Sequence, residues 1–536
     1  LTSTTHCLMK RSLLALALSV CALANAAPIN ATLVVEAGKS GPRIDPNIYG
    51  QFVEHLGRGV HEGIWVGEGS NIPNVRGIRS DVVAALKRIK VPVIRWPGGC
   101  FAELYHWRDG IGPRAQRPRG INRAWGDEPE TNGFGSHEFM DLVEQIGAKA
   151  FLSVNLASGS PAEAQSWLHY LTDPASSGAG AERARNGREQ PYAVPYIGIG
   201  NENWGCGGNM TPAYYADQYR QYLSVLKPFG TLIATDANAD DYAWTETLLQ
   251  RALYRHPPGA AQASPLAWIN KEPQLGMMSL HFYTFSGNDW GRKSPAVGFT
   301  EQDWATSMLR THKMDELITR HAAIMDRYDP ERRVGLSVSE WGAWWEKDKV
   351  APSNLFQVGT LRDAVIAGLT LNIFHDHAER VQMANLAQMV NVLQSLVLTR
   401  GPKMIVTPTY HVFDLYQGHQ GATRVPVSLS APAYRVEGVD LPSLSVSASR
   451  GEGGRLTLSL VNLRPQDPIR LVIDLQGQRF TSAQGRSLTA DRMDARPDFD
   501  APDPLQPRAI PGLQIEAGRL ELTVPAKSVN VIQLNP

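Results

Sequence analysis

The chain has 536 residues, 43% hydrophobic and 19% charged, with Lys+Arg and Asp+Glu both at 52. This composition excludes global disorder and collagen-like repetition, and the length suggests about three domains, or one barrel of about 250 residues plus a smaller unit. With no net charge there is no field to gather nucleic acid or an anionic membrane.

The N-terminus reads as a leader. Met9-Lys10-Arg11 precedes the apolar run Leu13–Leu23, and Ala24-Asn25-Ala26 supplies small residues for cleavage after Ala26. The run is too short to span a bilayer. Residues 1–26 are therefore expected to be a signal peptide, with the real start at Met9. A soluble protein secreted to the periplasm or beyond follows. Cys7 and Cys21 precede the cut, leaving Cys100 and Cys206, which can bridge or stay apart in an oxidising compartment.

Strand and helix patterns then alternate. Residues 31–36 form a strand, and 48–52 another. A helix with Val82, Val83, Leu86 and Ile89 on one face leads to a buried strand at 91–96. Further strands fall at 150–155, 196–200, 232–235, 278–283, 334–339 and 369–374. Ser160-Pro161 with Glu163 predicts a capping box opening a helix, and Thr211-Pro212 opens another. Eight strands with helices between them predict an α/β fold, a (β/α)8 TIM barrel over 46–405; a doubly wound sheet is the alternative. After about residue 408 the period becomes two, at 455–461, 469–474 and 520–524. Residues 406–536 are thus expected to be a β-sandwich. Residues 27–45 are too few for a domain, so their strand is expected to join that sandwich. The stretch 485–513 reads as a long loop.

Barrel enzymes carry their chemistry where strands run out into loops. Two glutamates stand there: Glu202 in Gly200-Asn201-Glu202, and Glu340 in Ser339-Glu340-Trp341. A carboxylate at the end of an apolar strand is costly unless paired or functional. A glycosidase needs two, one acid/base and one nucleophile or base. The 13 Trp and 16 Tyr fit that reading, because sugar rings stack their C–H faces on aromatics.

At these residues the chain resembles glycoside hydrolase family 51, the α-L-arabinofuranosidases. The motifs run in order: Gly50-Gln51-Phe52-Val53-Glu54-His55-Leu56-Gly57-Arg58, Ile94-Arg95-Trp96-Pro97-Gly98-Gly99, Tyr105-His106-Trp107-Arg108-Asp109-Gly110, Gly198-Ile199-Gly200-Asn201-Glu202, Ser339-Glu340-Trp341 and Ala384-Asn385-Leu386-Ala387-Gln388. The resemblance implies a barrel with a β-sandwich and retaining double displacement, with Glu202 as acid/base and Glu340 as nucleophile. The mechanism needs carboxyls about 5–5.5 Å apart and a Glu202 that titrates above Glu340. It further implies Asn201, Glu54 and Gln388 as sugar ligands, Tyr283 as the group steadying the nucleophile, and arabinose-containing poly- and oligosaccharides as substrates. No cofactor or metal is required, and the family often forms homo-oligomers.

One position departs from the pattern. Many members carry a sugar-binding Asn after Pro-Gly-Gly; here it is Cys100. A thiol is a poor donor, so Asn155 or a water is expected to replace the contact. Cys100 and Cys206 are expected to meet at the pocket rim and form a disulfide.

Other motifs read blandly. Gly198-Ile199-Gly200 lacks the third glycine of a dinucleotide fingerprint. His375 and His377 would share a strand face with no third ligand evident, and His55 and His61 read as local hydrogen-bond partners. Among Trp65, Trp96, Trp107, Trp204, Trp341, Trp344 and Trp345, half are expected to be core and half to serve sugar subsites, Trp107 among the latter. The rival functions are an endo-acting β-glucanase or xylanase on the same scaffold and a carbohydrate-binding protein without catalysis.

Overall fold

Eight parallel strands close into a barrel: Gly50–Phe52, Val93–Trp96, Lys149–Val154, Tyr196–Ile199, Thr231–Ala234, Met277–Thr284, Gly335–Ala343 and Val381–Ala387. The structure is a computed structural model describing residues 29–253, 275–287, 290–347, 351–501 and 505–536. The leader-like residues 1–26 lie outside the described residues. Inside the barrel, Val93, Phe151, Ile233, Met277 and Met383 pack together, so the barrel is filled rather than open.

Seven strands fall where the pattern places them; the eighth does not. Leu369–Phe374, expected as a strand, lies within the helix Leu361–Asp376. Asp363 caps it, accepting from the Thr360 backbone N–H at 2.7 Å. The helix is wedged between barrel and sandwich. Asn372 donates to Ser445 Oγ at 3.1 Å and accepts from the Ser459 hydroxyl at 2.7 Å. Because Leu361 through His375 are all buried, the apolar run has no polar face and no helical period to read. His375 is accordingly helical and His377 caps the helix C-terminus, so neither lies on a strand. His375 hydrogen-bonds the Tyr49 hydroxyl at 2.8 Å and Ser447 Oγ at 3.0 Å, while His377 pairs with Asp315 at 2.7 Å.

Just past residue 405, the helix Pro408–Leu415, capped by Thr407, packs between the barrel and the sandwich. Its Tyr410 hydroxyl donates to Ala85 O at 3.0 Å, and Phe413 meets Tyr49 edge-on at 6.0 Å. Only half of the predicted capping box forms: Ser160 Oγ accepts from Glu163 N at 3.1 Å, but the Glu163 carboxylate turns to His106 at 2.9 Å.

The sandwich pairs a six-stranded sheet with a five-stranded one. The N-terminal strand Ile29–Glu36 lies in the smaller sheet, parallel to Ile469–Gln476 and antiparallel to Val427–Ser430. Its inward Ala31, Leu33 and Val35 join Leu458, Leu460, Ile473 and Leu522 in a separate core. The Trp304 indole donates to Leu463 O at 2.8 Å and ties this domain to the barrel.

Candidate active site

The site is assembled by alternation along the barrel strands. Val93 lies in the packed interior, and Arg95, two residues on, faces the same side. Its guanidinium sits 4.5 Å over the Phe52 ring. It donates to Glu340 Oε1 at 2.8 Å, to Ser339 O at 3.2 Å, and to Asn201 Oδ1. His281 and Tyr283 are likewise two residues apart on the sixth strand. His281 Nδ1 is 2.9 Å from Glu202 Oε1 and 3.6 Å from Glu340 Oε2. The Tyr283 hydroxyl donates to Glu340 Oε2 at 2.7 Å. One oxygen of Glu202, one of Glu340 and a His281 nitrogen lie within 4.8 Å of one another.

The second loop closes the floor. Glu54 Oε1 accepts from the backbone N–H groups of Gly99 (2.9 Å) and Phe101 (3.0 Å). The Gln388 amide donates to Glu54 Oε2 at 3.3 Å, and its Oε1 accepts from Glu54 N at 3.1 Å. The glycines of Pro97-Gly98-Gly99 permit this crowding. A Cβ on Gly98 would lie 2.7 Å from Glu54 Cγ, and one on Gly99 3.1 Å from Glu340 Oε1. A cavity of about 390 Å³ opens above, lined by Glu54, Asn201, Glu202, Glu340, Gln388 and four tryptophans: Trp125, Trp204, Trp290 and Trp344. Glu54 is 2% exposed, Glu340 5% and Trp290 50%, so these two carboxylates lie deep and Trp290 reaches the mouth.

The electrostatics separate the carboxyls. Burial pushes Glu340 up, but the His281 and Arg95 charges and the Tyr283 hydroxyl overcome it, and Glu340 is held below its ordinary value. Burial pushes Glu54 up to about 7; the Glu340 charge adds to this and the backbone donors of Phe101 and Gly99 oppose it. Burial, then Glu340, raises the Tyr283 phenol well above its usual value, so it stays a donor.

Cys100 and Cys206 are joined by a disulfide, with Cα atoms 5.6 Å apart. Cys100 lines the cavity, and Cys206 Sγ lies 3.8 Å from Glu202 Oε2. Two residues expected to contact the sugar, Asn155 and Trp107, do not line this cavity. Asn155 faces its own loop: its amide donates to Tyr105 O and Ser158 Oγ, and its oxygen accepts from Ser158 N and Gly159 N. It closes a turn because a strand ends there. Trp107 is 2% exposed and stacks on Trp167 at 6.5 Å, inside the shell. Trp65, Trp96, Trp341 and Trp345 are also buried, whereas Trp204 and Trp344 line the cavity.

Sequence reasoning missed Arg95, His281, Trp125 and Trp290. Arg95 and His281 carried a signal, a polar residue at period two with an inward neighbour; the two tryptophans sit in loops with none. Among the described residues, the groups that bring possible metal donors together are hydrogen-bonded internally or, for Cys100 and Cys206 beside Glu202, held in the disulfide. Glu130 binds His55 at 2.9 Å and His61 at 3.0 Å, while His55 Nε2 accepts from the Trp96 indole at 3.2 Å. The Glu202–His281–Glu340 group is the carboxylate pair itself.

A closed parallel barrel with two facing strand-end carboxylates at the base of a pocket is the architecture of a glycoside hydrolase. Family models described as the α-L-arabinofuranosidase 1 domain and the α-L-arabinofuranosidase C-terminal domain match residues 85–272 and 339–528. An intracellular exo-α-L-arabinofuranosidase of Bacteroides ovatus is 38% identical over 94% of this chain and 96% of its own. The structure of the GH51 arabinofuranosidase from Xanthomonas axonopodis pv. citri is 40% identical, covers 95% of this chain and 100% of its own, and superposes with a TM-score of 0.89. That of the α-L-arabinofuranosidase from Thermotoga maritima in complex with arabinose is 31% identical, covers 94% and 99%, and gives 0.78. The chain belongs to glycoside hydrolase family 51 and is an exo-acting, retaining α-L-arabinofuranosidase. The same comparison corrects one expectation. The Bacteroides relative, matched along nearly the whole chain, is named intracellular, which overturns the expectation of a secreted protein.

Proposed function

We propose that Glu340 is the nucleophile and Glu202 the acid/base, and that the enzyme removes terminal arabinofuranosyl groups from plant polysaccharides such as arabinoxylan and arabinan, or from their oligosaccharides. Glu340 attacks the anomeric carbon as Glu202 protonates the departing oxygen, giving a covalent arabinosyl ester and a free alcohol. Glu202 then takes a proton from water, which attacks the same carbon and frees Glu340. The observation that carries this reading is the anchoring of Glu340. Arg95 and Tyr283 each hold one of its oxygens, and the pair keeps it ionised and aimed. One oxygen of Glu202 and one of Glu340 lie within 4.8 Å, which supports double displacement over the roughly 6.5–9.5 Å spacing that an inverting pair needs for its water.

Asn201, Glu54 and Gln388 bind sugar hydroxyls in this reading, and Tyr283 steadies the nucleophile. Cys100, its thiol consumed in the bridge, contributes wall rather than a hydrogen bond. A pocket with buried acids at its base and aromatics at its mouth supports release of one terminal sugar over internal cutting. Assembly into a homo-oligomer belongs to the same proposal, supported by family membership, and light scattering on the purified protein tests it.

The deciding experiment is hydrolysis of p-nitrophenyl α-L-arabinofuranoside by wild type, Glu340→Ala and Glu202→Ala, with and without azide. Wild-type cleavage, an inactive Glu340→Ala and azide rescue of Glu202→Ala assign both roles. Rescue of Glu340→Ala instead would reverse them.

A further inference from the structure

Glu103 is a fully buried carboxylate that the reaction itself does not use. It ends the short turn Cys100–Glu103 that follows Pro97-Gly98-Gly99. The four groups that donate to its carboxylate are all neutral N–H groups, and they come from two other strand-end loops. Oε2 accepts from the backbone of Leu156 and of Ala157, each at 2.7 Å, in the loop after the third strand. Oε1 accepts from Asn201 N at 2.6 Å and Asn203 Nδ2 at 2.8 Å, in the loop after the fourth. One side chain thus fastens three consecutive barrel loops, and two of its bonds flank Glu202.

The fourth loop is shaped around this clamp. Glu202 itself has φ +44°, a conformation that a non-glycine residue holds only where its surroundings fix it. Its carbonyl accepts from Gly205 N at 2.7 Å and Gly207 N at 3.1 Å. Asn203 passes the restraint on by donating to Gly207 O at 2.7 Å. A Cβ on Gly207 would lie 2.9 Å from Glu103 Oε1 and still closer to Asn201 O, so the glycine leaves the carboxylate room to enter. The Cys100–Cys206 bridge joins the same two segments three residues before Glu103 and four after Glu202. The acid/base loop is therefore held to one turn twice, once covalently and once by hydrogen bonds.

A carboxylate in this position is chemically specific. Both oxygens face donors, so a glutamine would point its own NH2 at N–H groups on one side whichever way it turned. Burying the charge against four neutral donors is costly, and burial drives the carboxyl up to about 7 in spite of them. An ordinary core contact between loops does not need a charge.

We propose that Glu103 is a positioning residue for Glu202, fixing the Asn201–Asn203 backbone so that the acid/base carboxyl meets the glycosidic oxygen. The inference rests on the acid/base assignment of Glu202 made above.

The test compares Glu103→Gln and Asn203→Ala with wild type and Glu202→Ala on two substrates. A methyl arabinofuranoside has a poor leaving group and needs the proton. A 2,4-dinitrophenyl arabinofuranoside leaves without it. The expected result is a fall in kcat/KM on the order of 10- to 100-fold for the methyl glycoside, with little change for the activated one. Azide is expected to raise turnover of the activated substrate, as in Glu202→Ala. Equal losses on both substrates, or no azide effect where Glu202→Ala shows one, would overturn the inference. If azide fails on Glu202→Ala as well, the acid/base assignment itself falls and takes the inference with it. Thermal melts accompany the kinetics. Should Glu103→Gln fail to fold, Asn203→Ala, which removes one of the four bonds, decides the matter by the same criteria.

Discussion

The Tyr283 hydroxyl donates to Glu340 Oε2 across 2.7 Å from the neighbouring barrel strand. This bond stabilises the carboxylate in a site where burial alone would neutralise it. Tyr283→Phe removes it while keeping the ring. A hydrogen bond to a buried charge is worth about 1.5–3 kcal/mol, so kcat is expected to fall on the order of 10- to 100-fold. Loss of a donor that favours the ionised form raises the Glu340 pKa. The acidic limb of the kcat/KM profile is therefore expected to move to higher pH, and a pH series on an aryl arabinofuranoside checks it. An unmoved limb would place the tyrosine outside the nucleophile's environment.

Glu54 makes a different prediction, about stability. Its carboxyl is raised to about 7 from an ordinary 4.5, chiefly by burial. The fold therefore favours the protonated form. The resulting stability is fully present below the ordinary value and is lost as pH rises through about 7. The shift corresponds to roughly 3 kcal/mol between these limits. Glu54→Gln stays neutral at every pH and lacks this slope. Denaturant midpoints for wild type and variant, measured near pH 5 and near pH 8, are expected to differ least favourably to the variant at the acidic end. Parallel curves would deny Glu54 its raised value. The same variant is expected to raise KM through loss of a sugar contact.

What was legible in the chain follows from where the information resides. Seven barrel strands announce themselves because each is a short apolar run bounded by turn residues. Glu202 and Glu340 stand out because a charge at the end of such a run is anomalous. The eighth strand was misplaced because the helix Leu361–Asp376 is buried on every side and mimics a strand's composition. Asn155 and Trp107 sit in strand-end loops, as sugar ligands do, but their loops turn them inward, and no local pattern records that. Glu103 was invisible for a further reason. Its four donors lie 53 to 100 positions away, so its role exists only once three loops have met.

The Cys100–Cys206 bridge closes a loop of 106 residues. Chain-entropy reasoning gives about 4–5 kcal/mol for a loop of this size, as an upper bound. Reductant added to denatured protein is expected to raise the free-thiol count by two over the unreduced sample. The double variant Cys100→Ser/Cys206→Ser is expected to unfold at lower denaturant. With the Glu103 bonds intact, it should retain most of its kcat on an aryl arabinofuranoside. A stable but inactive double variant would show that the covalent link, rather than the hydrogen-bonded clamp, positions Glu202.

The mouth of the pocket carries the last prediction. Trp290 is 50% exposed, yet it is held by its neighbours: edge-on to Trp344 at 4.8 Å and to Phe285 at 5.4 Å, with the Lys293 ammonium 4.2 Å from its ring centre. A half-exposed indole fixed in this way is a pre-ordered face, and stacking a sugar on it costs little further entropy. Trp290 is far more exposed than Glu54 and Glu340, so under the proposed function its contact is expected to fall on sugars beyond the cleaved bond. Trp290→Ala is expected to lower kcat/KM for arabino-oligosaccharides about 10-fold, mostly through KM, because the lost contact is made equally in ground and transition states. The small p-nitrophenyl glycoside should be affected less. Equal effects on both substrates would mean that Trp290 supports Trp344 and the catalytic pocket rather than the departing chain.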